Sequence, residues 1–398
     1  MSTGGVVTRR GLGRALLARQ HLLEPRATTV PAEVDHLVGL QSQNPFSAYL
    51  ALHARVRGFR HADLADALLD RRVGRLALVR DTVHLVSAQD ALTLWPLLAP
   101  LLRRRLLSGI SASATLRQVD LDDLARHARD ALAGEPLTAP QLGARLAVHL
   151  PGHDPGHLAL GARGLLPLVQ VTPRGVWGRS LTTTWTTADA WFGAPVTPID
   201  PDDLDRARDE LVLRYLAAFG PATVADVQRW SGLTRLAAVV DRLRPRLVEL
   251  RPATEDAPVR AGRGALLLDL PDAPRPADGT PAPVRFLPDF DEVLLGHDDR
   301  SRIVPPGLQA ELSGRNGMPP GTVLVDGTVA GSWTLVRERT ARADGGRGRL
   351  TLGRLVVTPL RRWDRAERAA VQQEGEGVVR FLADEADAHA VQVLDGPA

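Results

Sequence analysis

The sequence has no cysteine, which excludes disulfides and thiolate metal sites together. It has no lysine either, so all 49 basic residues are arginine. No apolar run reaches the roughly 18–20 residues that span a bilayer, and the N-terminus lacks the apolar core of a signal peptide. A membrane partner is therefore not expected, and the bacterial cytoplasm is the simplest compartment. A GxSxG elbow, an HExxH helix and a P-loop are all missing. The glycines of GGVVTRRGLG lack the preceding strand that a nucleotide fingerprint needs.

What is present is a chain of 398 residues, 44% hydrophobic and 24% charged, the balance of a globular protein. At roughly 100–200 residues per domain it is long enough for two to four modules. Its 49 arginines against 46 acidic residues leave a net charge of only +3. GC-rich codon usage accounts for much of the preference for arginine. The planar guanidinium fork nevertheless suits phosphates and base edges, so clusters of arginine carry more meaning than the total.

Helical spacing dominates the first 250 residues. PAEVDHLVGLQ puts Val34, Leu37 and Val38 on one face, with Pro31 in the first turn after Thr28 and Thr29. PFSAYLALHARV restarts a helix at Pro45, which leaves Gln41 to Asn44 at the junction. HADLADALLDRR reads as a further helix and GRLALVRDTVHLVS as two short strands. Helices followed by a strand pair give the order of a winged helix-turn-helix, and that order recurs at unequal intervals of about 85–110 residues. EPLTAPQLGARLAVHL begins a second unit, in which LVQVTPRGVWGRS predicts a wing turned at Pro173-Arg174-Gly175. LVLRYLAAFGPATVADVQRWSGLTRLAAVVDRLRPRLVEL predicts a third, ending in a longer helix and the strand RGALLLDL. From about residue 281 the period changes to two, with Asp-Gly turns, which predicts antiparallel β structure closed by a last helix near 363–383. The resulting division is 1–115, 116–200 and 201–280 for three winged-helix modules and 281–398 for a C-terminal β domain.

HLPGHDPGHL brings His149, His153, Asp154 and His157 close in sequence, but its Pro-Gly pairs deny it a helical face, so it reads as a loop rather than a metal site. No metal and no cofactor are expected. Asp289, Asp291 and Glu292 sit among apolar residues in FLPDFDEVLLGHDDRSRI, where a turn-and-cap role is preferred to catalysis. Arginines cluster at Arg71, Arg72 and Arg75, at Arg103, Arg104 and Arg105, and in RERTARADGGRGRLTLGR. There Arg339, Arg342, Arg347 and Arg349 flank an Asp344-Gly345-Gly346 turn. Such a hairpin tip suits phosphates or a minor groove, and suits equally a solubilised edge hairpin. Beside three winged-helix units, the balance moves toward DNA.

Six segments then occur together in a characteristic order: LVGLQSQNPFSAYLALHARV, LVRDTVHLVSAQDALTLW, LLPLVQVTPRGVWGRS, RYLAAFGPATVADVQRWSGL, FLPDFDEVLLGHDDRSRI and LVDGTVAGSW. On these, across nearly its whole length, the chain resembles the bacterial tandem winged-helix DNA glycosylases, the AlkZ-like family of the azinomycin-resistance type. The resemblance implies an α+β fold of three tandem winged helix-turn-helix modules in a C-shaped arrangement, with a C-terminal small β-barrel or antiparallel β domain, around a DNA-sized channel. It implies a monofunctional glycosylase that excises bulky N7-alkylguanines and acts on interstrand crosslinks, as self-resistance to a genotoxic natural product. The family signature Gln-Φ-Gln corresponds to Gln41-Ser42-Gln43, with serine where an apolar residue is usual. Gln41 and Gln43 are thus the expected catalytic pair. Arg80, Arg103, Arg104, Arg339, Arg342, Arg347 and Arg349 are the expected DNA contacts, and the lesion-probing hairpin corresponds to the turn at 344–346. The expected partner is double-stranded DNA carrying N7-alkylguanine, met by a monomer.

Two amides suit that chemistry. N-glycosidic hydrolysis passes through an oxocarbenium-like sugar, and an N7-alkylated guanine is already a cationic leaving group that needs no acid. A glutamine carbonyl accepts from the attacking water while its NH₂ donates elsewhere. Without the resemblance, the same two residues read as polar side chains at a helix C-terminus. Two other classes stay open: a non-catalytic winged-helix regulator, although such proteins usually carry one module and dimerise, and a lesion-binding or drug-binding resistance protein.

Overall fold

Helices in this chain begin where a side-chain oxygen can accept from otherwise orphaned N–H groups. Thr8 caps the helix Arg9–Arg19, Thr29 caps Val30–His36 and Ser87 caps Ala88–Leu107. Thr138 and Thr223 form capping boxes with Gln141 and Asp226, starting Ala139–His149 and Val224–Ser231. The computed structural model describes residues 3–179, 182–253, 266–312, 319–341 and 349–397.

The described strands form three sheets in a mixed α+β architecture. A six-stranded sheet runs Leu40–Gln41, Val83–Ser87, Val73–Ala77, Leu168–Gln170, Thr184–Thr187 and Leu137–Thr138. A pairing of Leu76 with Val169 therefore makes one surface of two sequence regions. In a three-stranded sheet the N-terminal strand Thr3–Val7 lies parallel to Val248–Pro252, which pairs with Leu267–Asp269. The helix Arg9–Arg19 follows it there: Arg19 forks onto Asp269 at 2.7 and 2.9 Å with both side chains fully buried. One core cluster includes Leu16, Leu76, Trp95, Val169, Tyr215, Trp230, Val293 and Leu324, so it draws on residues from every region of the chain. No helix among the described residues is long and apolar enough to cross a membrane.

Five expectations change. The C-terminal β structure is not a closed barrel but an open five-stranded sheet, ordered Arg285–Leu287, Gly321–Val325, Thr328–Ala341, Arg349–Pro359 and Ala388–Val393. Nor is it wholly antiparallel. The helix Arg365–Leu382 carries the chain back across the sheet, so the last strand pairs parallel to Arg349–Pro359. That helix is consequently not the final element. The wing turned at 173–175 does not form: the partner of Leu168–Gln170 is Thr184–Thr187. The stretch between is drawn toward the first region by Tyr49, whose hydroxyl donates to Gly175 O and accepts from Trp177 N. The longer helix before residue 250 stops at Leu243, because Pro245 sits in the one-turn helix Arg244–Arg246 that follows.

One packed histidine gives a pH dependence. His53, on the helix Ser47–Arg55, stacks on Phe381 at 4.1 Å. Burial, then the charges of His61 and Arg285, lower its pKa from 6.5 to about 4. The folded state refuses a proton that the unfolded chain accepts below pH 6.5. This stability is therefore intact above that pH and is lost as pH falls toward 4, on the order of 1 kcal/mol per pH unit. Urea unfolding at pH 7 and pH 5 should show a smaller drop in His53→Gln than in the parent, and equal drops would refute the assignment.

Candidate active site

The junction holding the two glutamines is built as a strand end. Val38 and Gly39 have φ of 56° and 96°, turning the chain out of the helix Val30–His36 into Leu40–Gln41. A Cβ at Gly39 would meet Val86 Cγ1 at 2.9 Å, so the turn requires glycine. Gln41 then pairs with His84 across the sheet, and Ser42 N donates to Val83 O at 2.8 Å. Gln41 is 7% exposed, Ser42 is fully buried and Gln43 faces solvent.

The serine has a partner that an apolar residue would lack. Arg75, clustered in sequence with Arg71 and Arg72, is buried behind the loop. Its Nη2 donates to Ser42 O at 2.6 Å, its Nε to Ser42 Oγ at 3.2 Å and its Nη1 to Gln170 Oε1 at 2.7 Å. Burial and the neighbouring charge of Arg174 lower its pKa to about 9, so it remains charged at neutral pH. A departure from the usual signature is thereby matched by a buried donor.

Arg80 closes the other side. It tips the hairpin between Val73–Ala77 and Val83–Ser87, where Arg80 and Asp81 are both left-handed, with φ of 56° and 62°. Two such non-glycine residues in succession cost about 1–3 kcal/mol each and persist only when neighbours hold them. Arg163 does so, donating to Asp81 O and Oδ1 at 3.0 Å. The turn sends the Arg80 guanidinium inward, where Nη2 donates to Gln41 Oε1 at 2.8 Å and Nη1 to Trp230 O at 2.9 Å. Nη2 also lies 3.3 Å from Glu292 Oε1. His84 Nδ1 must carry a proton to donate to Thr82 O at 3.0 Å, and Nε2 lies 3.3 Å from the same Glu292 oxygen. Glu292 is 1% exposed. Burial alone would raise its pKa, but the Arg80 charge and the His84 contact outweigh it, and the net shift is downward. The result is a buried carboxylate–guanidinium pair that fixes one oxygen of a neutral amide.

His84 is the residue that sequence reasoning missed, and Glu292 was singled out but given a turn-and-cap role that the structure replaces. The trio Asp289, Asp291 and Glu292 divides three ways. Asp291 caps the turn Glu292–Leu295, Asp289 accepts from Ser47 Oγ, and Glu292 enters the Gln41 cluster. The available signal was a carboxylate inside the apolar run FDEVLL. Arg103 and Arg104 lie elsewhere, along a cavity of about 1230 Å³ with Arg129, Arg208 and Arg235, and Arg103 pairs with Asp122 at 2.7 Å. Arg339 is exposed on Thr328–Ala341, and Arg349 begins the next strand, its backbone opposite Ala341. Arg342, Arg347 and the 344–346 turn lie outside the described residues. His149 stacks on His127 at 4.2 Å, Asp154 caps the helix Pro155–Leu165, and His157 Nδ1 is 2.7 Å from Thr115 Oγ1. Among the described residues no group of three or more imidazole or carboxylate side chains converges as a metal site.

The family model described as DNA glycosylase AlkZ-like matches residues 34–381. The interstrand DNA cross-link repair glycosylase of Streptomyces sahachiroi is 26% identical over 377 residues, covering 91% of this chain and 93% of that protein. The solved structure of the Streptomyces sahachiroi DNA glycosylase AlkZ superposes with a TM-score of 0.75 at 21% identity, covering 98% of this chain and 100% of the other. At that identity the superposition speaks for the fold.

Proposed function

Since the chain belongs to the AlkZ-like DNA glycosylase family, we propose that it hydrolyses the N-glycosidic bond of N7-alkylguanine in duplex DNA, bulky adducts and interstrand crosslinks included. The observation that carries this reading is the 2.8 Å bond from Arg80 Nη2 to Gln41 Oε1, two residues before an exposed Gln43. An alkylated guanine leaves as a neutral base without being protonated, so the protein has only to orient water and shield a developing sugar cation. Gln41 supplies a fixed amide dipole and Gln43 a free one. The lack of lysine supports hydrolysis by water, since a side-chain amine for imine formation at the sugar is missing. Glu292 Oε1 is held by Arg80 and His84, and the whole carboxylate, 1% exposed, is out of reach of a substrate.

In the same reading, residues 1–115, 116–200 and 201–280 are three winged-helix modules and 281–398 a C-terminal β unit, arranged as a C around the duplex. The exposed Arg104 and Arg339 meet phosphates, Arg103 lends its charge from an ion pair, and Arg342, Arg347 and Arg349 are further DNA contacts. The protein acts as a cytoplasmic monomer in self-resistance to a DNA-alkylating natural product.

Mass spectrometry of the products from an alkylated duplex tests the reading. Release of free N7-alkylguanine with an intact abasic strand is expected, while neutral lesions such as uracil stay in place. Binding to a defined operator without base release would favour a regulator. Affinity for the free alkylating agent without base release would favour a drug-binding protein.

A further inference from the structure

Immediately beyond Gln43 the chain lines a cavity of about 490 Å³, within the size range of small-molecule sites. Asn44 and Phe46, which follow Gln43 in sequence, are part of its wall, and Trp177 and Trp333 complete an aromatic lining. The rings are held in place. Phe46 meets Trp177 edge-on at 5.6 Å, Trp177 Nε1 donates to both oxygens of Asp384 at 3.1 Å, and Trp333 Nε1 donates to Leu287 O at 2.9 Å. With both indole N–H groups engaged, the two tryptophans have only apolar ring surface left to offer.

The polar lining has an unexpected sign for a DNA enzyme. Asp289, Asp384 and Glu385 border the cavity against a single lining cation, Arg337, which lies 3.9 Å from Glu385, while His61 Nδ1 lies 3.6 Å from Asp384. Asp289 has a neutral partner, Ser47, and burial raises its pKa. Such a lining repels phosphate. Aromatic faces beside under-compensated carboxylates attract a flat cation.

We propose that this cavity receives the positively charged, N7-substituted guanine and its substituent while the bond to deoxyribose is cut. The proposal rests on the glycosylase reading above and names the part of the site that selects the lesion. A purine made cationic by alkylation satisfies the carboxylates and the ring faces together, and the volume leaves room for an aromatic substituent. An unmodified guanine has no charge to offer and gains only the stacking.

The test uses the full chain and two probes of similar size, 7-benzyl-9-methylguaninium and neutral 9-benzylguanine, followed by quenching of tryptophan fluorescence. The cation should bind about tenfold more tightly. Asp289→Asn combined with Asp384→Asn should erase that preference, and Phe46→Ala should weaken both probes. Equal binding of the two probes, or a preference that survives the double substitution, overturns the proposal. On duplexes, Phe46→Ala should lower kcat/KM about tenfold for an N7-benzylguanine lesion and no more than about threefold for N7-methylguanine. Phe46→Leu, which keeps the core filled, should give the same ordering if the alanine variant does not fold. Equal losses on the two lesions overturn the site and leave the glycosylase reading intact. If the parent protein binds the cation but cuts neither lesion, the glycosylase reading fails instead.

Discussion

Single-turnover release of N7-methylguanine should fall by roughly 10²–10³-fold in Gln43→Ala and by a similar factor in Gln41→Ala, the range seen when one preorganised dipole is removed from a transition state. DNA affinity at fixed salt should hardly move, because phosphate contacts dominate it and neither amide is charged. The two residues reach this effect by different routes. Gln43 is exposed, so its amide is available to a substrate. Gln41 is 7% exposed and cannot rotate without breaking its 2.8 Å bond to Arg80, whose own direction is set by Trp230 O and Glu292. Its carbonyl keeps a second lone pair, and its NH₂ is turned away from the arginine. Losing Gln41 removes an amide whose orienting cost was met on folding. Losing Gln43 removes one that orders only on the substrate. Rates of both variants within about twofold of the parent, with unchanged melting, would take the amides out of the mechanism.

Legibility in the sequence followed the range of the interactions. Gln41-Ser42-Gln43 is contiguous, so the motif could be read directly. The hairpins around residues 80 and 326 announced themselves through local alternation and turn residues. Arg80 was also visible as a candidate, but its inward direction was not. That direction depends on two left-handed residues and on Glu292, 212 positions away. The parallel pairing of Thr3–Val7 with Val248–Pro252, and of Arg349–Pro359 with Ala388–Val393, leaves no local mark, because parallel partners are joined by long connections. The open edge of the last sheet escaped for the same reason: alternation predicts strands but does not say whether the first and last of them meet. Ser42 looked like a mild departure from its signature until the structure supplied Arg75, 33 positions on and wholly internal.

Asp291→Ala should destabilise the protein by about 3–5 kcal/mol, the cost of leaving a buried charge without its counter-charge. Arg55 and Asp291 are both fully buried and joined through two bonds, Nη1 to Oδ2 at 2.9 Å and Nη2 to Oδ1 at 2.7 Å. The arginine ends the helix that follows the glutamine loop, and the aspartate immediately precedes Glu292. This pair therefore sets the distance between the two halves of the Gln41 cluster. Asp291 Oδ1 also caps Val293 N at 3.1 Å, and alanine would lose that bond as well. Arg55 would keep only neutral acceptors, Ala51 O at 3.1 Å and Gln20 Oε1 at 3.2 Å. Replacing both charges, as Arg55→Met with Asp291→Leu, should cost less than the single Asp291→Ala, since nothing ionised then stays buried. Glu24→Ala, which breaks a solvent-exposed pair with Arg57, should shift stability by less than about 1 kcal/mol. Urea midpoints at constant m-value measure all three. A double variant as costly as the sum of its singles would mean that the fork is not the term that holds the loop to the Glu292 segment, and the position of Gln41 would then have to come from the sheet alone.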